Sequence, residues 1–395
     1  MTLTDKFNKN LAKIEVSLIR QFAQETAKIP GVLQLTLGEP DFYTPEHVKR
    51  AGEAAISGNQ SHYTGMAGLI ELRAAASQFV KKRYGQTYAP EDEVLVTIGV
   101  TEAISSTLLS ILEPGDELLI PAPAFPAYEM VALIAGAKVV EIDTRADAFV
   151  LTPEKLSSAL TEHPKAKCLV LNSPSNPTGV VYQRAQLRAL ADVLRAHEIF
   201  VLSDEVYSEI NYTEAGHASI SEFLRAQTIV LNGLSKSHAM TGWRLGFIFA
   251  PRELVAQLIK THQYLVTAAT TQAQWAGVEA LKNGQNDALP MCDEYRRRRD
   301  VIIAAMEPLG FEIAKTDGAF YIFAKIPADL NQNDYDFCMD LAHSKAVACV
   351  PGRGFGPFGE GYIRLSYATS MDVVTEAMAR LTDHVRALRE RSKSV

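Results

Sequence analysis

Between residues 65 and 290 the chain alternates short apolar runs with stretches that carry apolar residues at helical spacing. Continuous runs of Val, Ile and Leu are typical of strands that are covered on both faces. Helices between such strands predict an α/β fold, with a mostly parallel sheet sandwiched by helices. The seven predicted strands are Glu93–Ile98, Glu117–Ile120, Lys138–Ile142, Cys168–Leu171, Phe200–Ser203, Thr228–Leu231 and Gly246–Ala250. The intervening helices include Thr101–Leu112, Ala127–Ala135, Arg184–Ala196 and Arg252–Leu265.

The segments on either side of this region have a different character. Leu11, Ile14, Leu18 and Phe22 follow a three-to-four spacing, which predicts a helix over residues 11–29. After residue 290 we expect a smaller α+β domain, with a polar helix opening at Glu294–Asp300, strands Gly318–Ile326, Val347–Val350 and Gly361–Tyr367, and a helix from Met371 to about Arg389. We therefore divide the chain into a large domain, 46–290, and a small domain, 291–395, against which residues 1–45 pack.

Composition narrows the class of protein. Of the 395 residues, 47% are hydrophobic and 22% charged, as in an average soluble globular chain. The net charge of −7 offers no positive surface, so we expect neither nucleic acid nor membrane as a partner. The chain has no apolar run near the ~18 residues of a membrane span, and its first ten residues lack the apolar core of a signal peptide. The cysteines (168, 292, 338 and 349) show no metal-ligand spacing, so we predict reduced thiols, no metal and a cytoplasmic enzyme.

Chemically active residue types follow three of the predicted strands. Asp204 and Tyr207 come after Phe200–Ser203, and Lys236 comes after Thr228–Leu231. The turn Gly99-Val100-Thr101 follows Glu93–Ile98 and opens a helix. Ligands of open α/β sheets bind beyond the carboxyl ends of the strands, so these groups are expected to share one crevice.

The segment Gly233–Gly246, which reads GLSKSHAMTGWRLG, carries the most specific pattern. Its Gly- and Ser-rich loop exposes backbone N–H groups that can bind an anion, and Arg244 adds a bidentate phosphate ligand. The amine of Lys236 beside such a site can condense with an aldehyde to give a Schiff base. Pyridoxal 5′-phosphate combines a phosphate with an aldehyde, and Asp204 would supply the acid that its ring nitrogen requires.

The chain resembles the class I aminotransferases of the aspartate aminotransferase superfamily, which are fold-type I pyridoxal-phosphate enzymes. The similarity covers nearly the whole length and is closest to microbial enzymes that act on aromatic and other amino acids. Five further motifs join the lysine segment in the family's order: LGEPDF (37–42), YTGMAG (63–68), NSPSNPTG (172–179), SDEVY (203–207) and RLS (364–366).

The resemblance implies a role for each matching residue. Lys236 is similar to the lysine that carries the cofactor and moves the proton, and Asp204 to the partner of the pyridine nitrogen. Tyr207 and Asn176 match the groups that hydrogen-bond the phenolic oxygen of the cofactor. Phosphate ligands are implied at Gly99, Val100, Thr101, Ser235 and Arg244, and an aromatic ring stacked on the cofactor at Phe125. Tyr63 resembles the tyrosine that reaches the phosphate of a neighbouring subunit, which implies a homodimer with shared active sites.

The resemblance also implies a substrate site and a reaction. Arg364 matches the clamp for the substrate α-carboxylate, assisted by Gly38 and Asn176. The implied reaction is a ping-pong transfer of an amino group to a 2-oxo acid such as 2-oxoglutarate. Relatives dedicated to aspartate use a second basic residue, often on the partner's helix that corresponds to Lys260–Gly277, and this stretch contains no Arg. Aromatic or other uncharged donors are therefore favoured, with dicarboxylic and diamino acids as the alternative.

Other interpretations of the chain remain open. A cystathionine-type β-lyase uses the same fold and lysine, although such lyases usually lack the GWRLG ending at 242–246. A regulatory protein or a catalytically silent scaffold could also carry this fold. The GFGPFG stretch at 354–359 matches G-x-G-x-x-G, but a strand follows it, so we expect a loop rather than a nucleotide site. The Arg296–Arg299 run is predicted to be a solvated helix face.

Overall fold

The structure is a computed structural model that describes residues 2–393. Its strands are β1 (Leu33–Gln34), β2 (Val94–Thr97), β3 (Glu117–Ala122), β4 (Lys138–Asp143), β5 (Ala166–Asn172), β6 (Phe200–Asp204), β7 (Thr228–Gly233), β8 (Gly246–Phe249), β9 (Glu312–Ile313), β10 (Tyr321–Lys325), β11 (Val347–Ala348), β12 (Val350–Pro351) and β13 (Tyr362–Ser366). Its α-helices are α1 (Leu18–Thr26), α2 (Glu46–Ser57), α3 (Ile70–Tyr84), α4 (Gly99–Ile111), α5 (Ala127–Ala135), α6 (Pro153–Glu162), α7 (Arg184–Leu194), α8 (Ser221–Leu224), α9 (Leu234–Ser237), α10 (Arg252–Val266), α11 (Thr271–Asn283), α12 (Ala288–Met306), α13 (Asp334–Lys345) and α14 (Met371–Lys393).

Seven strands form the central sheet in the spatial order β2–β8–β7–β6–β5–β3–β4. Neighbours from β7 to β4 pair in parallel, whereas β8 runs antiparallel to both β2 and β7. The mostly parallel sheet and all seven predicted strands are confirmed, with boundaries within two residues of the prediction. The carboxyl ends of β6 and β7 are adjacent, and this adjacency positions the site described below.

Helices cover both faces of the sheet, as the continuous apolar strands predicted. Successive strand residues point to opposite faces, so Leu95 packs with α4, α5 and α10 while Val94 and Val96 pack with α2, α3 and α11. On the face to which Val94 and Val96 point, helices α6 and α7 cover strands β3, β5 and β6. The sheet is therefore buried on both sides, and its ligand-binding edge is formed by the loops after the strands.

A second, four-stranded sheet has the order β12–β13–β10–β9 and is antiparallel throughout. Its core includes residues of α12, α13 and α14 together with Phe22 and Leu35 from the N-terminal segment. Strand β1 pairs in parallel with β11, which ties the N-terminal segment to this sheet region. The predicted single strand Val347–Val350 is wrong: the chain divides at Cys349, and β11 and β12 join different sheets.

Two predicted helices are broken. Residues 11–29 form a 3-10 helix ending at Lys13 and then α1, because Ile14 between them is extended and Leu11 stays 45% exposed instead of packing. Lys260–Gly277 is also two helices, since Thr267 adopts a left-handed φ of 66° after α10. In both segments the apolar residues keep a helical spacing, but the backbone conformation of Ile14 or of Thr267 interrupts the helix.

The prediction of a solvated Arg296–Arg299 run is wrong in its second half. Arg298 is 5% exposed and donates to both oxygens of Asp41, at 2.8 and 2.9 Å, and to Glu294 at 3.0 Å. Arg299 donates to the carbonyl of Thr316 at 3.0 Å. Helix α12 thus binds the N-terminal segment through an ion pair, which the bare charge pattern could not show.

The GFGPFG stretch forms a loop with one 3-10 turn at Pro357–Gly359 and leads into β13, as expected.

The four cysteines are free thiols, and the sulfur atoms of Cys338 and Cys349 are 3.5 Å apart. Among residues 2–393, no helix combines the length and apolarity that crossing a bilayer requires.

Candidate active site

Lys236 lies beyond the carboxyl end of β7, in the short helix α9. Its Nζ donates a hydrogen bond of 2.6 Å to the carbonyl oxygen of Gly38, a residue of the N-terminal segment. The same nitrogen lies 5.8 Å from the ring centroid of Tyr207 and 5.7 Å from that of Phe320. The lysine therefore points into a crevice between the large sheet and the second sheet.

This environment lowers the pKa of Lys236 to about 8. Burial is the main cause, because it disfavours the ammonium form. The positive charges of Arg244 and Arg364 lower the pKa further, against opposition from Glu39 and Asp204. About one tenth of the amine is consequently neutral, and nucleophilic, at pH 7, far more than for an ordinary lysine.

The lowered pKa of Lys236 predicts how the amine reacts with aldehydes. Covalent attachment of pyridoxal phosphate to the cofactor-free protein should quicken about tenfold per pH unit and level off near pH 8, since only the neutral amine attacks. Borohydride trapping at short times, followed by peptide mass mapping, measures this rate at Lys236. The Lys236→Ala protein is the control for labelling elsewhere. A rate that still climbs at pH 10 would contradict the lowered pKa.

Asp204 ends β6, next to β7, and is 3% exposed. Tyr128 donates a 2.6 Å hydrogen bond to its Oδ2, and the backbone N–H of Val206 donates to Oδ1 at 3.1 Å. Burial raises the pKa of Asp204 to about 6, and the Tyr128 hydrogen bond opposes that rise. Asp204 is thus a buried carboxylate that is oriented on both oxygens and still ionised at neutral pH.

Arg364, in β13, is 2% exposed. It donates from Nη1 to Asn176 Oδ1 at 3.0 Å and from Nη2 to the carbonyl of Thr36 at 2.7 Å. Its buried Nε has no hydrogen-bond partner, and no carboxylate in the described part of the chain pairs with it. A buried guanidinium without a counter-charge is costly unless an anion binds beside it. Arg364 is therefore not a surface arginine paired with a carboxylate.

Gly99 and the guanidinium of Arg244 meet at the start of α4, where the phosphate site is predicted. Gly99 has a φ of 69°, and a Cβ there would lie only 2.5 Å from Arg244 Nη2, so the guanidinium approaches because the residue is glycine. Arg244 is exposed, and its Nη1 donates to the carbonyl of Thr241. Thr101 is exposed in the first helical turn, where free N–H groups favour phosphate. Val100 is buried next to Gly99 at the start of α4, and Ser235 is buried next to Lys236 at the start of α9.

Phe125 and Tyr63 belong to the less enclosed part of the predicted site. Phe125 is half-buried just before α5, with its ring edge-on to Tyr128 at 5.8 Å. Tyr63 is 89% exposed on the surface of the single chain. The predicted role of Tyr63, which is to reach the phosphate of a neighbouring subunit, stays a prediction.

Two tyrosines of the site were missed from sequence. Tyr128 holds Asp204, and Tyr321, in β10, places its hydroxyl 2.8 Å from that of Tyr207 with its ring centroid 4.4 Å from the Arg364 guanidinium carbon. Tyr128 lies three residues after Phe125, one helical turn on, so its spacing was a usable signal. Tyr321 lies in an apolar strand segment and carried no signal of its own.

Comparisons with known proteins agree with this geometry. The family described as aminotransferase class I and II matches residues 30–381. The chain belongs to this family. This aminotransferase is 44% identical to the "Probable N-acetyl-LL-diaminopimelate aminotransferase" of Bacillus subtilis, over 98% of each chain. It is 36% identical to the aromatic-amino-acid aminotransferase 2 of Thermococcus litoralis, over 96% of this chain and 97% of the relative. The structure of the Thermus thermophilus aspartate aminotransferase with maleate superimposes with a TM-score of 0.90, at 33% identity, over 95% of this chain and 99% of that one.

Members of this family depend on pyridoxal phosphate, and the residues present fit that cofactor. The site offers an anion cradle that a Cβ at Gly99 would fill, a lysine of lowered pKa and an ionised buried carboxylate at Asp204. These three features match a phosphate, an aldehyde and a basic ring nitrogen. The enzyme is therefore a pyridoxal-phosphate-dependent aminotransferase of fold type I.

Proposed function

We propose that the enzyme moves the amino group of an L-amino acid, with an uncharged side chain favoured, to a 2-oxo acid such as 2-oxoglutarate by a ping-pong mechanism. The observation that carries this proposal is the buried guanidinium of Arg364. It lacks any counter-charge among residues 2–393, and its bidentate edge suits an α-carboxylate better than a lysine would. Amino acid and 2-oxo acid share that carboxylate, so one arginine serves both halves of the reaction.

Each site residue has a distinct task in this mechanism. Bound pyridoxal phosphate supplies the electron sink that withdraws charge from the α-carbon of the substrate. Asp204 would supply a negative charge to the ring nitrogen, and Tyr207 and Asn176 would donate towards the phenolic oxygen. Phe125 would supply the aromatic ring that stacks on the cofactor. The phosphate ligands are Gly99, Val100, Thr101, Ser235 and Arg244, with Tyr63 from a second subunit.

Lys236 is the proposed acid–base group as well as the attachment point. Its Nζ, once free, would take a proton from the α-carbon of the substrate. It would then deliver that proton to the carbon that was the aldehyde carbon of the cofactor. A base with a pKa of about 8 is well matched to this work near neutral pH. The Gly38 carbonyl, 2.6 Å from Nζ, limits where the freed amine can swing.

The side-chain preference rests on the segment 267–272, which reads TAATTQ and contains no cation. A dicarboxylic donor would place its second carboxylate without a counter-charge if this segment of a second subunit lines the pocket. A diaminopimelate derivative is the second candidate. It is favoured by the 44% identity to the Bacillus subtilis relative, against 36% to the aromatic enzyme.

A panel of donors tests the substrate class. Without acceptor, an accepted donor bleaches the visible band of the bound cofactor, and the bleaching rate ranks the donors. We expect phenylalanine, tyrosine and leucine to exceed aspartate by about 10- to 100-fold in kcat/KM. N-acetyl-LL-diaminopimelate as the best substrate would replace this preference with the second candidate. Persistent colour with pyruvate release from cystathionine would instead identify a β-lyase.

We also infer a homodimer that shares its active sites. Thr271 Oγ1 donates to the carbonyl of His62 at 2.8 Å, and Gln272 donates to that of Gln60 at 2.7 Å. The segment 267–272 and the Tyr63 loop therefore form one surface. Tyr63 and Tyr264 are 89% and 88% exposed on the single chain, so both rings are available for contact with a second subunit.

A subunit-mixing experiment tests this shared site. Tyr63→Ala and Lys236→Ala homodimers are each expected to be strongly impaired. Because a cross-interface tyrosine serves the other chain's lysine, a mixed dimer would contain one site with both wild-type residues. Activity should therefore return when the two proteins are unfolded together and refolded as a mixture. No recovery, with dimers confirmed by light scattering, would show that Tyr63 acts within its own chain.

A further inference from the structure

The hydroxyl and the ring of Tyr321 contact two different parts of the site. Tyr321 is 1% exposed in β10, where it pairs with Ser366 of β13. Its hydroxyl is 2.8 Å from the hydroxyl of Tyr207, and its ring lies 4.4 Å from the guanidinium carbon of Arg364. One side chain thus touches both a proposed cofactor ligand and the proposed carboxylate ligand.

We propose that Tyr321 is a positioning residue that fixes Arg364 and Tyr207 relative to each other, its ring holding the guanidinium and its hydroxyl directing the proton of Tyr207. The inference rests on the roles given above to Arg364 and Tyr207. It adds a residue that couples the substrate half of the site to the cofactor half.

The ring of Tyr321 is one of two aromatic rings that lie against the guanidinium of Arg364. The ring of Phe355 lies 4.8 Å from the same guanidinium carbon, so two aromatic rings contact Arg364. Hydrogen bonds to Asn176 and to Thr36 occupy Nη1 and Nη2, and the unpartnered Nε remains. The rings therefore limit the tilt of the guanidinium plane, while the hydrogen bonds set its rotation. A desolvated cation on an aromatic face is stabilised by the negative potential of the ring face.

The hydroxyl of Tyr321 can set the direction of the Tyr207 hydrogen bond. A phenol has one proton to donate and can accept as well. If Tyr321 donates to Tyr207, the proton of Tyr207 is left for the cofactor. Burial raises the pKa of Tyr321, and the charge of Arg364 and the hydrogen bond with Tyr207 oppose that rise. The burial of Tyr207, the proximity of Tyr321 and their mutual hydrogen bond raise the pKa of Tyr207, so this residue stays protonated.

The hydroxyl of Tyr321 also sets the identity of residue 38. A Cβ on Gly38 would collide with that oxygen, and the next nearest atom, Tyr321 Cζ, would be 3.3 Å away. Gly38 is therefore glycine because of this contact. The carbonyl of Gly38 accepts the hydrogen bond of Lys236, so displacement of the Tyr321 hydroxyl would also disturb the lysine.

Two variants of Tyr321 separate the ring from the hydroxyl, and a third variant, at Gly38, tests the contact with the hydroxyl. Tyr321→Phe keeps the ring, so the Kd of 3-phenylpropionate, measured by calorimetry on the cofactor-loaded enzyme, should change less than about threefold. The pH midpoint of the visible cofactor band should shift in this variant. Tyr321→Leu removes the ring and should weaken 3-phenylpropionate about tenfold or more. Tyr335→Phe is the matched control, because its hydroxyl is on the surface of α13 beside Glu25.

The third variant, Gly38→Ala, tests the contact by rescue. It should capture pyridoxal phosphate poorly, and Gly38→Ala with Tyr321→Phe should recover capture because the hydroxyl is gone. Unchanged cofactor spectra in Tyr321→Phe and no rescue of Gly38→Ala would overturn the proposal, as would unchanged ligand affinity in Tyr321→Leu. Normal binding of 3-phenylpropionate to an Arg364→Lys protein would instead overturn the carboxylate role of Arg364.

Discussion

Lys236→Ala is expected to lower kcat by about 10⁴-fold or more, because one substitution removes both the attachment point and the proton-transfer group. The side chain lies in the crevice with its pKa lowered to about 8, and the described structure places no second lysine beside Gly38. Steady-state transamination and single-turnover bleaching of the bound cofactor both measure the loss. Cofactor should still bind through the phosphate ligands at Gly99 and Arg244, more weakly and without covalent attachment.

Lys315→Ala is the matched control for this loss. Lys315 lies on the surface with its side chain 76% exposed, and it pairs with Asp317. Exposed ion pairs contribute little to stability. Its kcat should stay close to that of the wild type. If Lys236→Ala kept more than a few per cent of wild-type turnover, the assignment of the catalytic lysine would be wrong.

The sheet could be predicted because its strands are buried on both faces and so read as continuous apolar runs. All seven strands were located from that pattern alone, as β2 to β8. Spacing failed where packing did not follow it. Leu11 is exposed despite fitting a helical stripe, and Thr267 interrupts a stretch that continued to look helical.

Residue type beside the predicted strands singled out Lys236 and Asp204, whereas Arg364 was implied by the family resemblance. Lys236, Asp204 and Arg364 are charged residues in apolar or glycine-rich surroundings, and the structure brings all three to one crevice. Tyr128 and Tyr321 were missed because a tyrosine in an apolar element resembles an ordinary core residue. Only the three-dimensional structure shows that their hydroxyls point at Asp204 and Tyr207.

The buried arginines illustrate the same limit. Arg298 and Arg364 are both almost fully buried, at 5% and 2% exposure, but their charge balance differs. Asp41 and Glu294 neutralise Arg298, whereas no carboxylate of residues 2–393 pairs with Arg364. Sequence spacing could not tell the ion-paired arginine from the one without a carboxylate, because the partners come from distant segments.

The absence of a carboxylate partner for Arg364 among residues 2–393 predicts what a neutral side chain would do at this position. Arg364→Gln should lower kcat/KM for every amino acid donor by about 10²–10³-fold, mostly through KM, because the α-carboxylate loses a charged, bidentate partner. Arg364→Lys keeps the charge but not the planar fork and should fall in between. Donor saturation curves for three amino acids of different side chain measure these values. A loss confined to one donor would assign Arg364 to side-chain recognition.

Stability should move in the opposite direction from activity. In the ligand-free protein the Arg364 cation is buried without a counter-charge, so replacing it with neutral Gln removes a desolvation cost while an amide can still hydrogen-bond Asn176 or Thr36. We therefore expect Arg364→Gln to unfold at the same Tm as the wild type or higher, whereas Arg298→Gln should lower Tm because it leaves Asp41 unpaired. A fall in Tm for Arg364→Gln with KM unchanged would mark Arg364 as structural. Opposite signs of the two effects would explain a buried arginine without a carboxylate: under the proposed function, the carboxylate of the substrate supplies the missing counter-charge.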